Sequence, residues 1–355
     1  MAKIGFISLG CPKNQVDAEV IAYQLKSLDY ELVEEAKDAD LIIVNTCGFI
    51  QSAKEESINT FFALKEHFPK AKFILSGCLA QRYSQELFEN MPEADVIFGN
   101  NDLSKITEAV KTLDKRAVIT PEIADPCKES DTRDKLFNFP GSAYLKISEG
   151  CNHRCSYCAI PLIRGGFKSR PMNEIIQEAY RLSSLGFKEI IVLQQDTTKY
   201  GIDLHNGDNI VSLLKALLAI GNFDYVRLLY LYPDEITDEL IDFIAKTPVI
   251  SPYFDIPFQH SSDPVLKGML RRGTHESYQQ LIDQIRAKIP HAIIRTTYIV
   301  GFPGETDEDF VDLVAFTRKN KFDHMGAFKY SREDGTKAYD YDNQVEEALK
   351  AGRLA

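Results

Sequence analysis

The stretch Cys151-Asn-His-Arg-Cys155-Ser-Tyr-Cys158 places three cysteines within eight residues, with Tyr157 directly before the last one. An alternating apolar run, residues 144–148, and a Glu-Gly pair precede it, so we expect the stretch on a loop that leaves a strand. Three thiolates at this spacing can bind three irons of one cuboidal iron–sulfur cluster. Because a 4Fe–4S cluster has four irons, three ligands leave one iron open to another molecule.

Zinc binding and reduced, unligated cysteines are the alternative interpretations of this loop. A structural zinc site takes four ligands, typically in pairs of cysteines two to four residues apart. The loop supplies one group of three cysteines, with His153 inside it. The pattern therefore favours an iron–sulfur cluster.

Length and composition limit the class of protein. The chain has 355 residues, which suits two domains with buried cores, and 44% hydrophobic with 26% charged residues is typical of a soluble globular protein. The N-terminal Met-Ala-Lys-Ile-Gly-Phe has no signal-peptide layout, and no run of about 18 apolar residues occurs. Seven cysteines, an odd number in a long chain, indicate reduced, metal-binding thiols in a cytoplasmic protein. The net charge of −11 argues against a large nucleic-acid surface and fits a basic protein partner.

Residues 1–114 alternate strands with helices. Strands are predicted at 4–9, 41–44, 72–75 and 95–98, and helices at 16–28, 52–67, 81–89 and 103–113. Short connections between alternating elements predict an α/β domain with a parallel, Rossmann-like sheet that is covered on both faces.

One cysteine follows each of three predicted strands of this domain: Cys11, Cys47 and Cys78. The carboxyl ends of parallel strands share one edge of the sheet, so we expect these cysteines to converge. A buried cysteine acting as a small hydrophobe is the alternative for any one of them. The shared position favours a second three-cysteine iron–sulfur cluster, again with an open iron.

Residues 115–141 have the polar, Pro-containing composition of an exposed linker that ends near Pro140-Gly141. Cys127 lies in this stretch with no partner at ligand spacing, so we interpret it as incidental.

Residues 142–340 resume the alternation. Strands are predicted at 144–148, 189–193, 225–230, 253–256, 293–300 and 325–330, and helices at 173–184, 209–220, 237–245, 275–288 and 307–319. Asn173 and Thr237 are predicted N-caps, and Gly186 a predicted C-cap. Six such units predict a barrel or partial barrel with its site at the C-terminal ends of the strands.

Polar residues at these strand ends have two interpretations each. Gln195 and Gln259 could bind a nucleotide or simply cap a strand, and His260 is equally consistent with a packed turn. Arg295 lies inside a predicted strand, where a buried guanidinium needs a carboxylate partner. Three basic residues follow the cysteine loop and are candidates for contact with an acidic substrate: Arg164, Lys168 and Arg170.

The cysteine loop with Tyr157 resembles the radical S-adenosylmethionine superfamily. Together with the three isolated cysteines, it makes the chain similar to the methylthiotransferases, from about residue 3 to 340. The flanking motifs resemble the branch that modifies a ribosomal protein: residues 9–14, 45–49, 76–81, 146–155, 195–198, 228–233 and 295–306. The tRNA-modifying relatives typically have Met-Asn after the first cysteine, whereas this chain has Pro12-Lys13-Asn14.

The resemblance implies insertion of a methylthio group at the β-carbon of an aspartate in small-subunit ribosomal protein S twelve. It implies a radical S-adenosylmethionine core that is a partial (β/α)6 TIM-like barrel, two 4Fe–4S clusters, S-adenosylmethionine, and a flavodoxin-like or ferredoxin-like electron donor. The implied cluster ligands are Cys11, Cys47, Cys78, Cys151, Cys155 and Cys158. The resemblance places Tyr157 near the adenine of S-adenosylmethionine, and Gln195, Gln259 and Arg295 are candidate contacts with it because of their positions on the predicted strands.

Members of this family usually continue into a small C-terminal β-barrel, the TRAM domain. We expect residues 341–355 to be the start of such a domain, and substrate binding to be weaker without the rest. Two alternatives remain: the same chemistry on an adenosine of tRNA, and a non-catalytic iron–sulfur electron carrier. No direct nucleic-acid or membrane contact is expected for this chain.

Overall fold

The computed structural model describes residues 2–122, 133–134, 136–137 and 139–355. Cys127 lies outside the described residues. The chain divides into two compact units. The first contains Met1–Phe139, Glu149–Cys151 and Ile160–Arg170, and the second contains Pro140–Ser148, Asn152–Ala159 and Pro171–Ala355. Within the described part of the chain, no helix combines the length and the apolar character that crossing a membrane requires.

The N-terminal part of the first unit is a parallel sheet with helices on both faces. Its elements are β1 (Ala2–Ser8), α1 (Pro12–Lys26), β2 (Tyr30–Leu32), β3 (Leu41–Thr46), α2 (Gln51–His67), β4 (Lys72–Gly77), α3 (Cys78–Arg82), α4 (Ser84–Asn90), β5 (Val96–Phe98), α5 (Ile106–Lys111) and β6 (Ala117–Ile119). The strand order is β2-β1-β3-β4-β5-β6, and each neighbouring pair is parallel. The predicted parallel α/β sheet is confirmed.

The two faces of the sheet bury different apolar layers. In β3 every residue is buried, and successive side chains point to opposite faces. Ile43 packs with Val20 and Ile21 of α1 on one face. Ile42 packs with Phe61 of α2 on the other. This two-sided burial explains why the strand is a continuous apolar run rather than an alternating one.

Two short strands at the sheet edges differ from the prediction. β2 and β6 have three residues each and no fully buried position, so neither gives an apolar run in the sequence. β6 lies inside the stretch predicted to be a linker. The helix predicted at 81–89 is two helices, α3 and α4, because the helical backbone is interrupted at Tyr83 (φ −127°).

The remaining elements follow the cysteine loop and the barrel pattern. They are β7 (Ser142–Lys146), β8 (Ser148–Glu149), α6 (Ile160–Arg164), β9 (Lys168–Ser169), α7 (Met172–Ser184), β10 (Glu189–Leu193), α8 (Ile210–Leu218), β11 (Tyr225–Leu228), α9 (Asp238–Lys246), β12 (Tyr253–Gln259), α10 (Asp263–Gly268), α11 (His275–Lys288), β13 (Ile293–Val300), α12 (Asp307–Asn320), β14 (His324–Lys329) and α13 (Glu347–Leu354). α6 and β9 belong to the first unit.

Six parallel strands of the second unit form the predicted partial barrel. They make two three-stranded sheets, β7-β10-β11 and β12-β13-β14, with the strands in sequence order. The two sheets adjoin through a bridge between Val226 and Ile250 and a hydrogen bond from the Leu231 N–H to the Asp255 carbonyl oxygen (2.8 Å). Successive α-helices connect these strands, as in a (β/α)6 half-closed barrel.

The helix ends test the predicted caps. Thr237 accepts a hydrogen bond from the Leu240 N–H at the start of α9, so this cap is confirmed. Gly186 has φ +93° directly after the last turn of α7, in the left-handed conformation that commonly ends a helix. Asn173 is not an N-cap, because α7 starts one residue earlier, after Pro171.

Candidate metal centres

The first centre consists of Cys11, Cys47 and Cys78, which follow three adjacent strands of the first sheet. Cys11 directly precedes α1, Cys47 follows β3, and Cys78 is the first residue of α3. β1 lies between β2 and β3, so the chain passes from β1 to a strand on one side and then returns to add β3 on the other side. The strand order therefore reverses between β1 and β3. A crevice at the carboxyl ends of the strands at such a reversal is a common ligand site in open α/β sheets.

The thiols of the first centre lie close enough to affect one another. A Cβ added to Gly10, whose φ is +87°, would lie 2.9 Å from the Cβ of Cys47 and 3.3 Å from its sulfur. Burial, together with the neighbouring Cys78 and Cys11, raises the pKa of Cys47 to about 12. Burial also raises the pKa of Cys78. Neighbouring thiols of this kind release their protons when a cationic group binds, because the ligand is the thiolate.

Asparagine side chains fix the loops that carry these cysteines. Asn14 is buried and donates from its amide to the carbonyl oxygens of Leu9 and Thr46, both at 2.9 Å. Asn45 donates to the Asn14 carbonyl oxygen. These bonds join the turn after β1 to the end of β3, so they hold the loops of two cysteines in one arrangement.

Two donors point at the sulfur of Cys78. The amide nitrogen of Asn100 and the Nη2 of Arg164 each lie 3.3 Å from it. A thiolate that binds a cluster accepts hydrogen bonds at its sulfur, and these bonds help to set the reduction potential of the cluster. The donor set therefore fits a thiolate-ligated iron–sulfur cluster.

The basic residues after the cysteine loop do not form one exposed patch. Arg164 and Arg170 are each 3% exposed, whereas Lys168 is exposed. Arg164 binds Asp17 and Asn14 through Nη2, at 2.7 and 3.1 Å, and is therefore not available to an acidic substrate. The sequence-based hypothesis of substrate contact is wrong for this residue.

No three His, Cys, Asp or Glu side chains of the described part of the chain converge as ligands of one metal ion. A single ion needs all its ligands around one point, whereas a cuboidal cluster gives each thiolate its own iron and keeps the sulfurs further apart.

The second centre consists of Cys151, Cys155 and Cys158, and the structure fixes its loop by backbone bonds. In the first unit, the N–H of Cys151 donates to the carbonyl oxygen of Gly165 (3.1 Å). A Cβ on Gly150 would lie 2.1 Å from the Gly166 carbonyl oxygen, so only glycine allows this close approach. In the second unit, the N–H of Cys158 donates to the carbonyl oxygen of Cys155 (3.1 Å).

Ser156 anchors the part of this loop that lies in the second unit. Its N–H donates to the Met269 carbonyl oxygen (3.0 Å), and its hydroxyl donates to the Gly268 carbonyl oxygen (2.7 Å). Its own carbonyl oxygen accepts from the Ala338 N–H (2.7 Å). The buried Ser156 thus ties the loop between Cys155 and Cys158 to two other segments of the second unit, residues 268–269 and residue 338.

His153 belongs to a stack with Tyr232 and Arg271 that the sequence analysis did not identify. Its ring lies parallel to that of Tyr232, with centroids 3.7 Å apart and an interplanar angle of 4°, and its Nε2 lies 2.6 Å from Oδ2 of Asp196. The guanidinium of Arg271 lies 4.1 Å from the centroid of the Tyr232 ring. Tyr232 lies within one of the family-like motifs, but no sequence signal marks Arg271, which follows the short helix α10.

The predicted nucleotide contacts have distinct surroundings. Burial, with Cys155 adding to it, raises the pKa of Tyr157 well above its ordinary value, so its phenol stays protonated. Both amide atoms of Gln195 are buried without a hydrogen-bond partner in the described chain, which leaves them available to a ligand. Gln259 ends β12 with φ +71°. Arg295 binds Asp255 at 2.7 Å, so the carboxylate that its position required is supplied by the neighbouring strand.

His260 has the surroundings of a packed turn. It is fully buried, its Nδ1 accepts from the Ser262 N–H (3.0 Å), and its Nε2 lies 3.6 Å from Oε2 of Glu305. Glu305 in turn accepts from the backbone N–H groups of Gly301 and Phe302 (2.7 and 3.1 Å) and binds Arg353 of α13 (2.8 Å). This carboxylate fixes the turn after β13.

Two protein-family models match this chain, and each covers one of the two groups of cysteines. The family model of the uncharacterized protein family UPF0004 matches residues 3–99, and that of the radical SAM superfamily matches residues 145–317.

Two relatives that match over nearly the whole chain carry the same name. The chain is 44% identical over 361 residues to the ribosomal protein uS12 methylthiotransferase RimO of Acetivibrio thermocellus, covering 99% of this chain and 80% of the relative. It is 46% identical over 358 residues to the protein of the same name from Clostridium kluyveri, with the same coverage. Identity at this level over nearly the whole chain shows common membership of a family.

Solved structures share the fold at low identity. The radical S-adenosylmethionine methyltransferase TsrM from Kitasatospora setae superposes with a TM-score of 0.65 and 14% identity, covering 92% of this chain and 73% of that one. The cobalamin-dependent S-adenosylmethionine radical enzyme OxsB gives 0.63 and 11%, covering 100% of this chain and 56% of that one. These likenesses confirm the mixed α/β architecture, and the family model that matches residues 145–317 confirms the radical SAM domain.

Proposed function

The chain belongs to the RimO family of radical S-adenosylmethionine methylthiotransferases, and we propose that it inserts a methylthio group at the β-carbon of an aspartate in ribosomal protein uS12. The observation that carries this proposal is 44% identity to a relative of that name over 99% of the chain. The enzyme is a transferase that uses S-adenosylmethionine and 4Fe–4S clusters, as its family does.

We assign one cluster to each centre. Cys11, Cys47 and Cys78 would hold the first, and Cys151, Cys155 and Cys158 the second. The mutual influence of the buried thiols and the donors aimed at Cys78 support the first assignment. The spacing of the cysteines and the match of residues 145–317 to the radical SAM superfamily support the second. When bound, the clusters and S-adenosylmethionine supply the one-electron and radical chemistry that removes a hydrogen from an unactivated carbon.

The side chains around the centres bind, orient and exclude water. Asn14 holds the loops of the first centre in register, and the buried Ser156 fixes the loop of the second. We propose that Gln195 binds S-adenosylmethionine, because its buried amide has no hydrogen-bond partner among the described residues. Tyr157, Gln259 and Arg295 complete the proposed contacts, with Arg295 held in place by Asp255. Shielding matters here because a radical exposed to water would be lost to side reactions.

The partner and compartment follow from the substrate. We propose a cytoplasmic site of action on uS12, with a flavodoxin-like or ferredoxin-like protein as electron donor. The net charge of −11 favours a basic protein partner such as a ribosomal protein.

The test incubates anaerobically reconstituted protein with S-adenosylmethionine, sodium dithionite, sulfide and purified uS12. We expect mass spectrometry to find one methylthio group on an aspartate-containing peptide of uS12. A parallel incubation with tRNA is expected to give no methylthioadenosine. Modification of tRNA alone would overturn the proposal in favour of the nucleic-acid branch.

Cysteine variants test the two assignments separately. Cys151→Ala, Cys155→Ala and Cys158→Ala together are expected to halve the iron and sulfide content and to abolish both modification and deoxyadenosine release. Cys11→Ala, Cys47→Ala and Cys78→Ala together are expected to halve the iron and to abolish methylthiolation, while deoxyadenosine is still released. Cys127→Ala is the matched control and should keep the full iron content. Full iron content in either triple variant would contradict that assignment.

A further inference from the structure

Arg164 places a buried positive charge at the first centre, although in sequence it follows the cysteines of the second centre. It ends α6, six residues after Cys158 in sequence, yet it belongs to the first compact unit. Its side chain is about as buried as any in the core, at 2% exposure. A charge so far from water is tolerated only where opposite charges and hydrogen bonds compensate it.

Two carboxylates supply that compensation. Asp17 of α1 lies 2.7 Å from Nη2 of Arg164, and Glu149 lies 3.3 Å from Nη1. An arginine guanidinium is not deprotonated in proteins, so Arg164 is a permanent cation beside the Cys78 sulfur, which lies 3.3 Å from Nη2.

We propose that Arg164 is a positioning residue that sets the reduction potential of the cluster held by Cys11, Cys47 and Cys78. The inference rests on the proposed function, because it requires a cluster on these cysteines. One-electron reduction of a cluster adds a negative charge to it and no atom. A fixed cation and an N–H donor at a ligand sulfur stabilise the reduced form, and burial strengthens their effect. Arg164 thus makes the first centre easier to reduce.

The chain contains a neutral donor at the same sulfur for comparison. Asn100 donates to Cys78 over the same 3.3 Å, and its side chain carries no charge. Because charge-assisted hydrogen bonds are about twice as strong as neutral ones, Arg164 is expected to affect the potential more than Asn100 does.

The chain also contains a matched buried ion pair. Arg133 lies 2.6 Å from Glu19, which is on α1 two residues beyond Asp17, and both side chains are at most 1% exposed. Removing this pair also deletes one positive and one negative charge from the first unit, and Glu19 lies on the same helix as Asp17.

The experiment is a redox titration of the anaerobically reconstituted full chain with sodium dithionite and mediators, followed by electron paramagnetic resonance. Addition of S-adenosylmethionine identifies the signal of the second centre, because only that signal should change. Each titration is repeated in the Cys151→Ala, Cys155→Ala, Cys158→Ala background, which isolates the first centre.

Four variants are compared: Arg164→Met with Asp17→Asn, Arg164→Lys, Asn100→Leu, and the control Arg133→Met with Glu19→Gln. At the wild-type midpoint potential, the Arg164→Met, Asp17→Asn variant should show a ratio of reduced to oxidised cluster at the first centre that is about tenfold lower. A change of this size corresponds to the free energy of one charge-assisted hydrogen bond. Arg164→Lys keeps the charge but loses the planar fork, so a smaller decrease is expected. Asn100→Leu should also give a smaller decrease, and the control none.

An unchanged midpoint in the Arg164→Met, Asp17→Asn variant with full iron content would overturn the inference. An equal shift in the Arg133 control would overturn it too, because the effect would then be general. If the double variant loses its iron, Arg164→Lys decides, and an unchanged midpoint there is the contrary result. Absence of iron on the first centre of the wild type would instead overturn the proposed function.

Discussion

The two proposed metal centres recruit their cysteines in opposite ways. Cys11, Cys47 and Cys78 come from three loops, each more than thirty residues from the next, and only the parallel sheet brings those loops to one edge. The second centre takes its three cysteines from eight consecutive residues, so the chain itself keeps them near one another. The first centre therefore depends on the whole sheet, whereas the second depends on the anchoring of one loop.

The hydrogen bonds around the two centres differ in a corresponding way. Side-chain amides of Asn14 and Asn45 join separate strands around the first centre. Backbone groups and the hydroxyl of Ser156 hold the second loop against neighbouring segments of the chain. Distant ligands need side chains that cross between strands, and consecutive ligands need only a fixed loop. Damage to one centre should accordingly leave the other intact.

The largest effect is expected from Gly77→Ala, at the end of β4 directly before Cys78. Gly77 has φ +95°, and an added Cβ would lie 2.5 Å from the Thr46 carbonyl oxygen, part of the rigid backbone of β3. Steric overlap and left-handed strain together should lower the free energy of unfolding by about 3 kcal/mol. The first centre should lose its iron while the second keeps it. Urea unfolding and iron analysis measure the two effects.

Gly207→Ala is the matched control for that substitution. Gly207 has φ +87°, and an added Cβ would meet nothing within 4 Å, so only backbone strain remains. A loss of about 1 kcal/mol with both clusters retained is expected. Equal losses of stability in the two variants would show that close packing at Gly77 does not hold the first centre together.

An intermediate effect is expected from His153→Ala, which acts on the second centre. The substitution removes the stacking on Tyr232 and the 2.6 Å contact with Asp196. The two contacts together should contribute about 2 kcal/mol to the ordering of the loop. Under a chelator, the second cluster should therefore lose iron faster than in the wild type, while the first loses it at the same rate. Time-resolved absorbance with the cysteine variants as references measures this.

His67→Ala is the control, because His67 is exposed, its Nδ1 lies 2.8 Å from the Ala63 carbonyl oxygen of its own helix, and its ring centroid lies 6.2 Å from that of the adjacent Phe68. Its rates of iron loss should equal those of the wild type. Faster loss from both centres in His153→Ala would contradict the independence of the two centres.

The smallest effect is expected from Lys26→Met at the end of α1. Its ion pair with Asp134 is 2.7 Å long, but both side chains are more than a third exposed. Exposed pairs contribute little, so the free energy of unfolding should change by about 0.5 kcal/mol or less, with both clusters retained. Comparison with the unfolding of the Arg164→Met, Asp17→Asn variant separates exposed from buried charge on one helix. A change above 1 kcal/mol in thermal or urea unfolding would contradict this reading.

Much of the fold follows from local patterns. Buried strands such as β3 and β4 are runs of apolar residues, and β10 and β13 begin and end where their patterns predict. The edge strands β2 and β6 were missed because three half-exposed residues carry no periodic signal. The cysteine groups are visible in the sequence because their spacing, or their place after a strand, is itself local.

The missed residues of the sites depend on tertiary contacts. Arg164 lies next to the second group of cysteines in sequence, and nothing local shows that residues 160–170 return to the first unit. The stack of His153, Tyr232 and Arg271 joins three segments that are far apart in the chain. Asn173 has the chemistry of a cap, but the helix starts at Met172, directly after Pro171 and one residue earlier than the apolar pattern indicates.

The return of Arg164 to the first sheet has a consequence for biosynthesis. Residues 2–119 contain every strand of that sheet, so its hydrogen-bonded framework is synthesised well before Arg164 leaves the ribosome. Until then, the 2.7 Å contact between Asp17 and the Arg164 guanidinium cannot form. The nascent domain thus lacks a buried cation beside Cys78, and loading of the first centre should follow, rather than precede, translation of α6.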